Sequence, residues 1–528
     1  MSGQSARARV RTAVVAIVGT LLTLALLSGC GPVTPQRAAA ARAATSAPTG
    51  PMTFQLPGRP AGFDPFAPLG APDHLLAAAH FEPLVSSVDG RILPRMADWW
   101  GSIHDDRTVL LTIKHAFWSD GTRMGAADLL FTLEEHLRPG SRSAALPALL
   151  RIQGARDFHE GRASHVSGIV AETSRGVVIS LLDSDPNFIA QLTGVLVLPR
   201  HVYAGQDLGR PELFRAPRVG SGAYLFDAWE GDDRVVLKPN PQFRPFTRLD
   251  KVVGRVVSPD QVVPALERGE LDLALEISSS QLDRLPAGYR ELTAPGDRVV
   301  GLSGRGPLAD IRFRQAVIQS IDRQRILDEH LGGHGRVVDS VMFSPDWATS
   351  PERVRWQSDP AAAQDLLAAT GWSDDRTLTL VALTDDLATG PWEAIVADLA
   401  RVGIRATITV RPVGERAAVW ADPAVDGVIE SYRMAVPDPV QVGQWVACGV
   451  PSGYCNPDLD GLFDRGRSQL VATERRDTYA EADDVLATEL PVIPLWVPDA
   501  AIAVVEERGG VSPLLQPATA MIDLWGPA

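Results

Sequence analysis

Three groups of residues in this chain have the type and spacing to do chemistry. The first is Cys30, one of only three cysteines, directly behind an apolar run in "LALLSGCGPVTP". The second is Cys448 and Cys455 within "WVACGVPSGYCNPDLD", two thiols near enough to close a short loop as a disulfide. A metal held by two cysteines alone, with no histidine nearby, is the weaker reading. The third is His330 and His334 in "HLGGHG", at the i, i+4 spacing that can hold a metal on a helix. Gly332 and Gly333 stand between them and break that helix, which favours a turn with two solvated histidines. The sequence has no G-x-S-x-G elbow, because "GLSGRG" at 301–306 spaces its glycines wrongly. It also lacks G-x-x-x-x-G-K-[ST] and H-E-x-x-H. Catalysis, a bound metal and a cofactor therefore have no support here, and the expectation is a protein that is not an enzyme.

The surroundings of Cys30 say what that thiol is for. Arg7, Arg9 and Arg11 precede an uncharged run from Thr12 to Leu27, and small residues follow. A basic start, an apolar middle and a small-residue exit make a secretory signal peptide. The run is also near the lower length limit for a membrane span, so an uncleaved anchor is the rival. Leu27-Ser28-Gly29-Cys30 resembles a bacterial lipobox, which decides for cleavage before Cys30 and acylation of its sulfur. Residues 1–29 are thus expected to be a lipoprotein signal peptide. Residues 30–51, rich in Ala, Pro, Thr and Ser without an aromatic residue, are expected to be a flexible tether. The body is expected at the extracytoplasmic face of the cell membrane, where an oxidising environment suits a disulfide.

Loss of a leader that holds three arginines and no acid takes the formal charge from −14 to about −17. Such an acidic surface, without a Lys/Arg cluster, speaks against nucleic acid as a partner. A body of about 475 residues is too long for one core and implies two or three lobes.

Helical and strand patterns mix throughout, giving an α/β class. "ADLLFTLEEHLRPG" puts Leu129, Leu130, Leu133 and Leu137 on one stripe. Asp310 caps a helix carrying Phe313, Val317 and Ile321, and Asp322 restarts it. Asp359 and Pro360 open a helix that Gly371 ends. "PWEAIVADLARVGIRATITV" is a helix, a Gly403 stop and a strand alternating at Ile404, Ala406, Ile408 and Val410. "TERRDTYAEADDVLATELPVIPLWV" is a helix running into an apolar strand.

The order of several segments resembles the family 5 extracellular solute-binding proteins, the peptide-, nickel- and oligosaccharide-binding subunits of ABC importers. "HFEPLVSSVDGRILPRMADWW" (80–100) is similar to their opening block. "HAFWSDGTRMGAADLLFTLE" (115–134), "RVGSGAYLFDAWEGDDRVVLKPNPQF" (218–243), "VVPALERGELDLA" (262–274), "ADIRFRQAVIQSIDRQRIL" (309–327), "PAAAQDLLAATGW" (360–372), "VPDPV" (436–440) and "YCNPDLDGLFDRG" (454–466) follow in the family order. Most of these blocks read as scaffold: Asp120-Gly121 as a tight turn, Gly220, Gly222 and Tyr224 as a close turn with an aromatic plug, Asn456-Pro457 and Asp458 as a helix cap, and Glu82 as structural.

The resemblance implies a two-lobed, hinged, periplasmic-binding-protein-like fold. Lobe I would span 52–277 with an extra subdomain, lobe II 278–490, and residues 491–528 would return to lobe I. It implies a monomer that captures peptides or peptide-like solutes between its lobes and presents them to ABC permease and ATPase subunits. The stretch "GVIESYRMAVPDPVQVGQWVACG" (427–449) corresponds to the family's ligand strand, which makes Tyr432, Arg433, Met434 and Trp445 candidates, with Trp420 as a further pocket wall. Peptide-binding members carry an aspartate three residues before the acidic-Pro pair, to meet the ligand's ammonium group. Here the pair is Asp438-Pro439, the position three earlier is Ala435, and Asp438 reads as a turn cap. That departure leaves room for a blocked peptide, a glycoconjugate, a metal chelate or haem, for another acid that supplies the charge, or for an envelope interaction protein on the same fold. From lobe I, "LPGRPAGFDPFAPLG" (56–70) corresponds to a loop facing the cleft, adding Arg59, Phe63 and Asp64. Cysteine pairs like Cys448 and Cys455 occur in dipeptide-binding members of the family.

Overall fold

A computed structural model describes residues 50–527 apart from 69, 89–90, 104, 245–246, 276, 374, 385–388, 435–437 and 514–521. Cys30, Ala435 and the leader and tether up to residue 49 therefore lie outside the described residues. Residues from Gly50 onward form one compact unit. No helix among the described residues is long and apolar enough to cross a membrane.

Two sheets organise that unit. The first has the order Tyr289–Ala294, Ala500–Val505, Leu273–Ala274, Met52–Leu56, Val252–Val256, Arg234–Pro239, Tyr224–Glu230. Met52–Leu56 runs parallel to Val252–Val256 and lies in the middle, which is why Met52, Phe54 and Leu56 are all buried. Helix Pro72–His80 packs on it and passes close to the turn that feeds Tyr224. A side chain at Gly222 would put its Cβ 2.2 Å from the carbonyl oxygen of Ala79, so only glycine fits there. Tyr224 then plugs the turn, its buried hydroxyl donating to Leu249 O at 3.1 Å.

The extra subdomain grows out of this lobe with a core of its own, running from Leu84 to Val197. Its sheet has the order Ala97–Ser102, Thr108–Ile113, Gly176–Ser180, Ile169–Ala171. Helix Ala126–Leu137 covers it, with Leu129, Leu133 and Leu137 fully buried and Leu130 at the margin. The three-and-four spacing of those leucines is the apolar stripe of a half-buried helix.

The second sheet has the order Gly335–Arg336, Ile493–Pro498, Arg298–Gly304, Gly427–Arg433, Thr377–Leu383, Arg405–Arg411. Its helices begin where short polar side chains can satisfy exposed N–H groups. Asp310 accepts from Arg312 N to open Ile311–Ser320, and Asp322 accepts from Arg325 N to open Arg323–His330. Asp359 accepts from Ala361 N and Ala362 N to open Pro360–Ala368. The helix ending at His330 leaves His334 beyond the turn, so the two histidines share no helical face.

Strand pairing moves the expected lobe boundaries. Tyr289–Ala294 pairs antiparallel with Ala500–Val505 along its whole length, so residues 278–294 stay with the first sheet rather than opening lobe II. Ile493–Pro498 pairs with Arg298–Gly304 in the second sheet, so the return falls between Pro498 and Ala500, not at 490/491. The two crossovers, 295–297 and Asp499, lie side by side. A Cβ on Gly296 would sit 1.7 Å from Pro498 O, so the two connecting segments touch backbone to backbone. Near the end of the chain Trp525 is buried against Phe54 of lobe I, ring centroids 5.5 Å apart.

Candidate functional site

Two neighbouring crossovers between two sheets make a hinge, and a solute held between the lobes would favour their closed arrangement. The residues at the lobe boundary are therefore the place to look. Arg298 and Arg433 are register partners where strands Arg298–Gly304 and Gly427–Arg433 leave the hinge. Arg433 Nε lies 3.7 Å from Asp297 Oδ2, and its Nη1 would be 3.7 Å from a Cβ on Gly70 of lobe I. Arg433 thus spans from the lobe II strand to the end of the lobe I loop 56–70. Met434 is buried and its N–H donates to Asp297 O at 2.7 Å. That N–H is occupied by the crossover and does not offer itself to an added peptide strand.

The other expected contacts divide. Tyr432 is buried, its hydroxyl 2.8 Å from that of Ser303 and donating to Glu430 Oε1 at 3.3 Å. Burial, then the Glu430 carboxylate, push the phenol well above its ordinary pKa, so it stays neutral. Trp445 leans on Tyr432 at 5.5 Å between ring centroids and is partly buried. Arg59 is exposed on the far end of its loop and pairs with Asp232 at 2.5 Å.

Three expectations are corrected by packing. Phe63 is fully buried among His80, Phe226 and Trp229, so it has no face for a ligand. Asp64 is buried and already accepts from Phe66 N at 2.9 Å and Arg142 Nη2 at 3.0 Å. Trp420 lies in a small core with Val419 and Val428. Apolar and aromatic residues in a loop carry no mark of which way they turn, and these turn inward. Cys448 and Cys455 are joined as a disulfide.

A cavity of about 590 Å³ opens where the extra subdomain meets lobe II. Its volume is that of a small-molecule site, and a seam between domains is where such sites concentrate. Ile92, Pro186 and Ala190 form the wall from lobe I, facing Trp347 and Leu470 of lobe II. The polar lining consists of Asn187, Asp438, Gln469, Thr473, Arg475 and Arg476. Of these only Asp438 was visible in the sequence, as a turn cap, and it does cap: Val440 N donates to its Oδ1 at 3.0 Å. Its Oδ2 accepts from Arg475 Nη2 at 2.7 Å and from Asn187 Nδ2 of lobe I, so one buried carboxylate ties the seam together. Asp185 stands nearby in lobe I; burial first, then the Asp438 charge, raise its carboxyl above the usual range. No group of three or more His, Cys, Asp or Glu among the described residues is arranged to hold a metal.

The hinge, the two lobes and a cavity on their seam define a two-lobed binding protein. The family profile of the bacterial extracellular solute-binding proteins, family 5, matches residues 91–450, and the chain belongs to that family. A putative ABC transporter peptide-binding protein of Brucella ovis is 26% identical over 371 residues, 67% of this chain. The chain spans 66% of that relative's length, a little under two thirds. The di/tripeptide-binding protein 3 of Pseudomonas aeruginosa is 22% identical over 480 residues, 84% of this chain and 89% of the relative. Among solved structures, the periplasmic binding protein DppA of Helicobacter pylori, in complex with the peptide STSA, superimposes with a TM-score of 0.79. It is 18% identical, covering 92% of this chain and 99% of that one.

Proposed function

We propose that this protein is the solute receptor of an ABC importer, taking peptides or peptide-like solutes between its lobes and handing the closed complex to a membrane permease with its ATPase. The observation that carries this is the 590 Å³ cavity with walls from both lobes, in a fold whose two sheets are joined by two adjacent crossovers. Its occupant contacts both lobes only when they are closed, and differential affinity of that kind is what drives a hinged receptor. The peptide class is supported by the names of the relatives above. The lipobox-like stretch at Cys30 supports a lipid anchor at the extracytoplasmic face of the cell membrane. No bond is made or broken in this role.

Native mass spectrometry of protein purified directly from cells tests it. A retained peptide-like mass, or saturable binding of added peptides, is the expected result. An empty protein that also fails to bind peptides, conjugates, chelates and haem would sink the proposal. Growth with a labelled fatty acid should tag the wild-type protein, and Cys30→Ala should lose the tag; a wild type that takes up no label would remove the lipid anchor from the account.

A further inference from the structure

The reading above leaves the solute unspecified, and the lining of the seam cavity narrows it. Among the described residues Asp438 is the one carboxylate that lines the cavity, yet it is 2% exposed and shared between Val440 N, Arg475 and Asn187. It is therefore spent, and is not placed to receive a ligand's ammonium group. Arg475 is spent in the same way, held by Asp438 and by Gly466 O at 2.8 Å beneath the Trp347 ring.

Arg476 differs. It lines the cavity and pairs with the carboxylate of Asp477, its chain neighbour, at 2.8 Å, with both side chains more than half exposed. An exposed pair of that kind is weak enough to be exchanged for a better-placed anion. With Asp438 matched by Arg475, Arg476 leaves the lining with a cationic excess.

A second polar group is unmet. Gln469 lines the cavity, and its buried Oε1 has no hydrogen-bond partner among the described residues. A buried acceptor left without a donor is costly, so an occupant that supplies an N–H is favoured. The remaining walls, Ile92, Pro186, Ala190, Trp347 and Leu470, are apolar. Trp347 and Leu470 are 40% and 59% exposed, which is surface that gains from being covered.

We infer that this cavity takes a short peptide-like solute through its anionic end: a carboxylate on Arg476, an amide N–H on Gln469 Oε1, and an apolar side chain against Trp347 and Leu470, with no free carboxylate among the described lining residues to anchor an ammonium group. The inference rests on the solute-receptor reading and adds the substrate class.

The test uses the purified protein with N-acetyl-Ala-Leu-Leu bearing a free carboxylate, the same peptide as its C-terminal amide, and Ala-Leu-Leu with a free amino group. Binding is followed by calorimetry and by tryptophan fluorescence. The acetylated acid should bind at least as well as the free-amino peptide, and the amide about tenfold more weakly, as expected for one charge-assisted contact. Arg476→Gln should abolish that preference for the acid. Ala190→Trp, which fills the cavity from lobe I without touching a charge, should weaken both acetylated peptides together. Far-ultraviolet circular dichroism and melting of each variant exclude unfolding as the cause.

Equal binding of acid and amide by the wild type, or an acid preference that survives Arg476→Gln, would overturn the inference and leave the receptor reading standing. Strong preference for the free-amino peptide would do the same. Failure of all three peptides, with saturable binding of another solute class, would overturn the peptide assignment in both proposals.

Discussion

The two lobes bury polar side chains by opposite means. Lobe I hides imidazoles. His74, His80 and His136 are each 2% exposed or less, and burial lowers all three pKa values, to about 4 for His80 and about 3 for His136. His80 Nδ1 accepts the N–H of Phe226 at 3.1 Å, a bond that only the neutral ring can make. Lobe II hides guanidiniums. Arg314 donates to the carbonyls of Glu489, Leu308 and Ala309 at 2.7–2.9 Å. Arg323 donates to Val338, Pro494 and Trp356. A guanidinium cannot shed its proton, so it must be given acceptors, and in return it fixes loops that are distant in sequence. An imidazole can be buried neutral with one partner, at the cost of sensitivity to acid.

Breaking that contrast at its strongest point gives the largest expected effect. Arg323→Ala strands carbonyls of Val338, Pro494 and Trp356 inside lobe II and should destabilise the protein by about 3–5 kcal/mol in urea unfolding. A loss under 1 kcal/mol would mean the guanidinium does not hold those loops.

Acid is the next lever, and it acts on lobe I. The folded imidazoles titrate below the ordinary value of 6.5, so above that pH they contribute nothing to the pH dependence. Below it the unfolded chain takes up protons that the folded lobe refuses, and stability falls until pH reaches the folded pKa values near 4 and 3. At pH 5 the loss is about 2 kcal/mol for each of His80 and His136. Melting temperature should drop between pH 7 and 5, and hydrogen exchange should show lobe I losing protection first. A flat melting profile, or earlier opening of lobe II, would contradict the comparison.

Replacing both Cys448 and Cys455 with serine removes a short-loop constraint in lobe II and should cost about 2 kcal/mol by thermal denaturation. The smallest effect is at the seam. Asn187→Ala removes a hydrogen bond from lobe I to Asp438 and should weaken peptide binding by no more than about tenfold, leaving global stability nearly unchanged. A large loss of stability instead would place Asn187 in the fold rather than in closure.

Much of the secondary structure could be read along the chain because its causes are local. Asp310, Asp322, Asp359 and Asn456 cap helices because their short side chains reach N–H groups two or three residues ahead. The leucine stripe of Ala126–Leu137 and the alternation through Arg405–Arg411 likewise need only neighbours in sequence. The site was far less legible. Phe63, Asp64 and Trp420 had the right chemistry in plausible segments, but a side chain's direction depends on what packs around it.

What the sequence determined by itself was the family, the mixture of helices and strands, the helix starts and the absence of the G-x-S-x-G, phosphate-loop and H-E-x-x-H patterns. Tertiary structure alone decided where the lobes divide, because Tyr289–Ala294 finds its partner some two hundred residues away in Ala500–Val505. It alone assembled the seam cavity, since Ile92, Asn187, Trp347 and Arg476 share no local pattern. Local rules act over a few residues, whereas strand pairing and interlobe packing join segments whose nearness no spacing in the chain encodes.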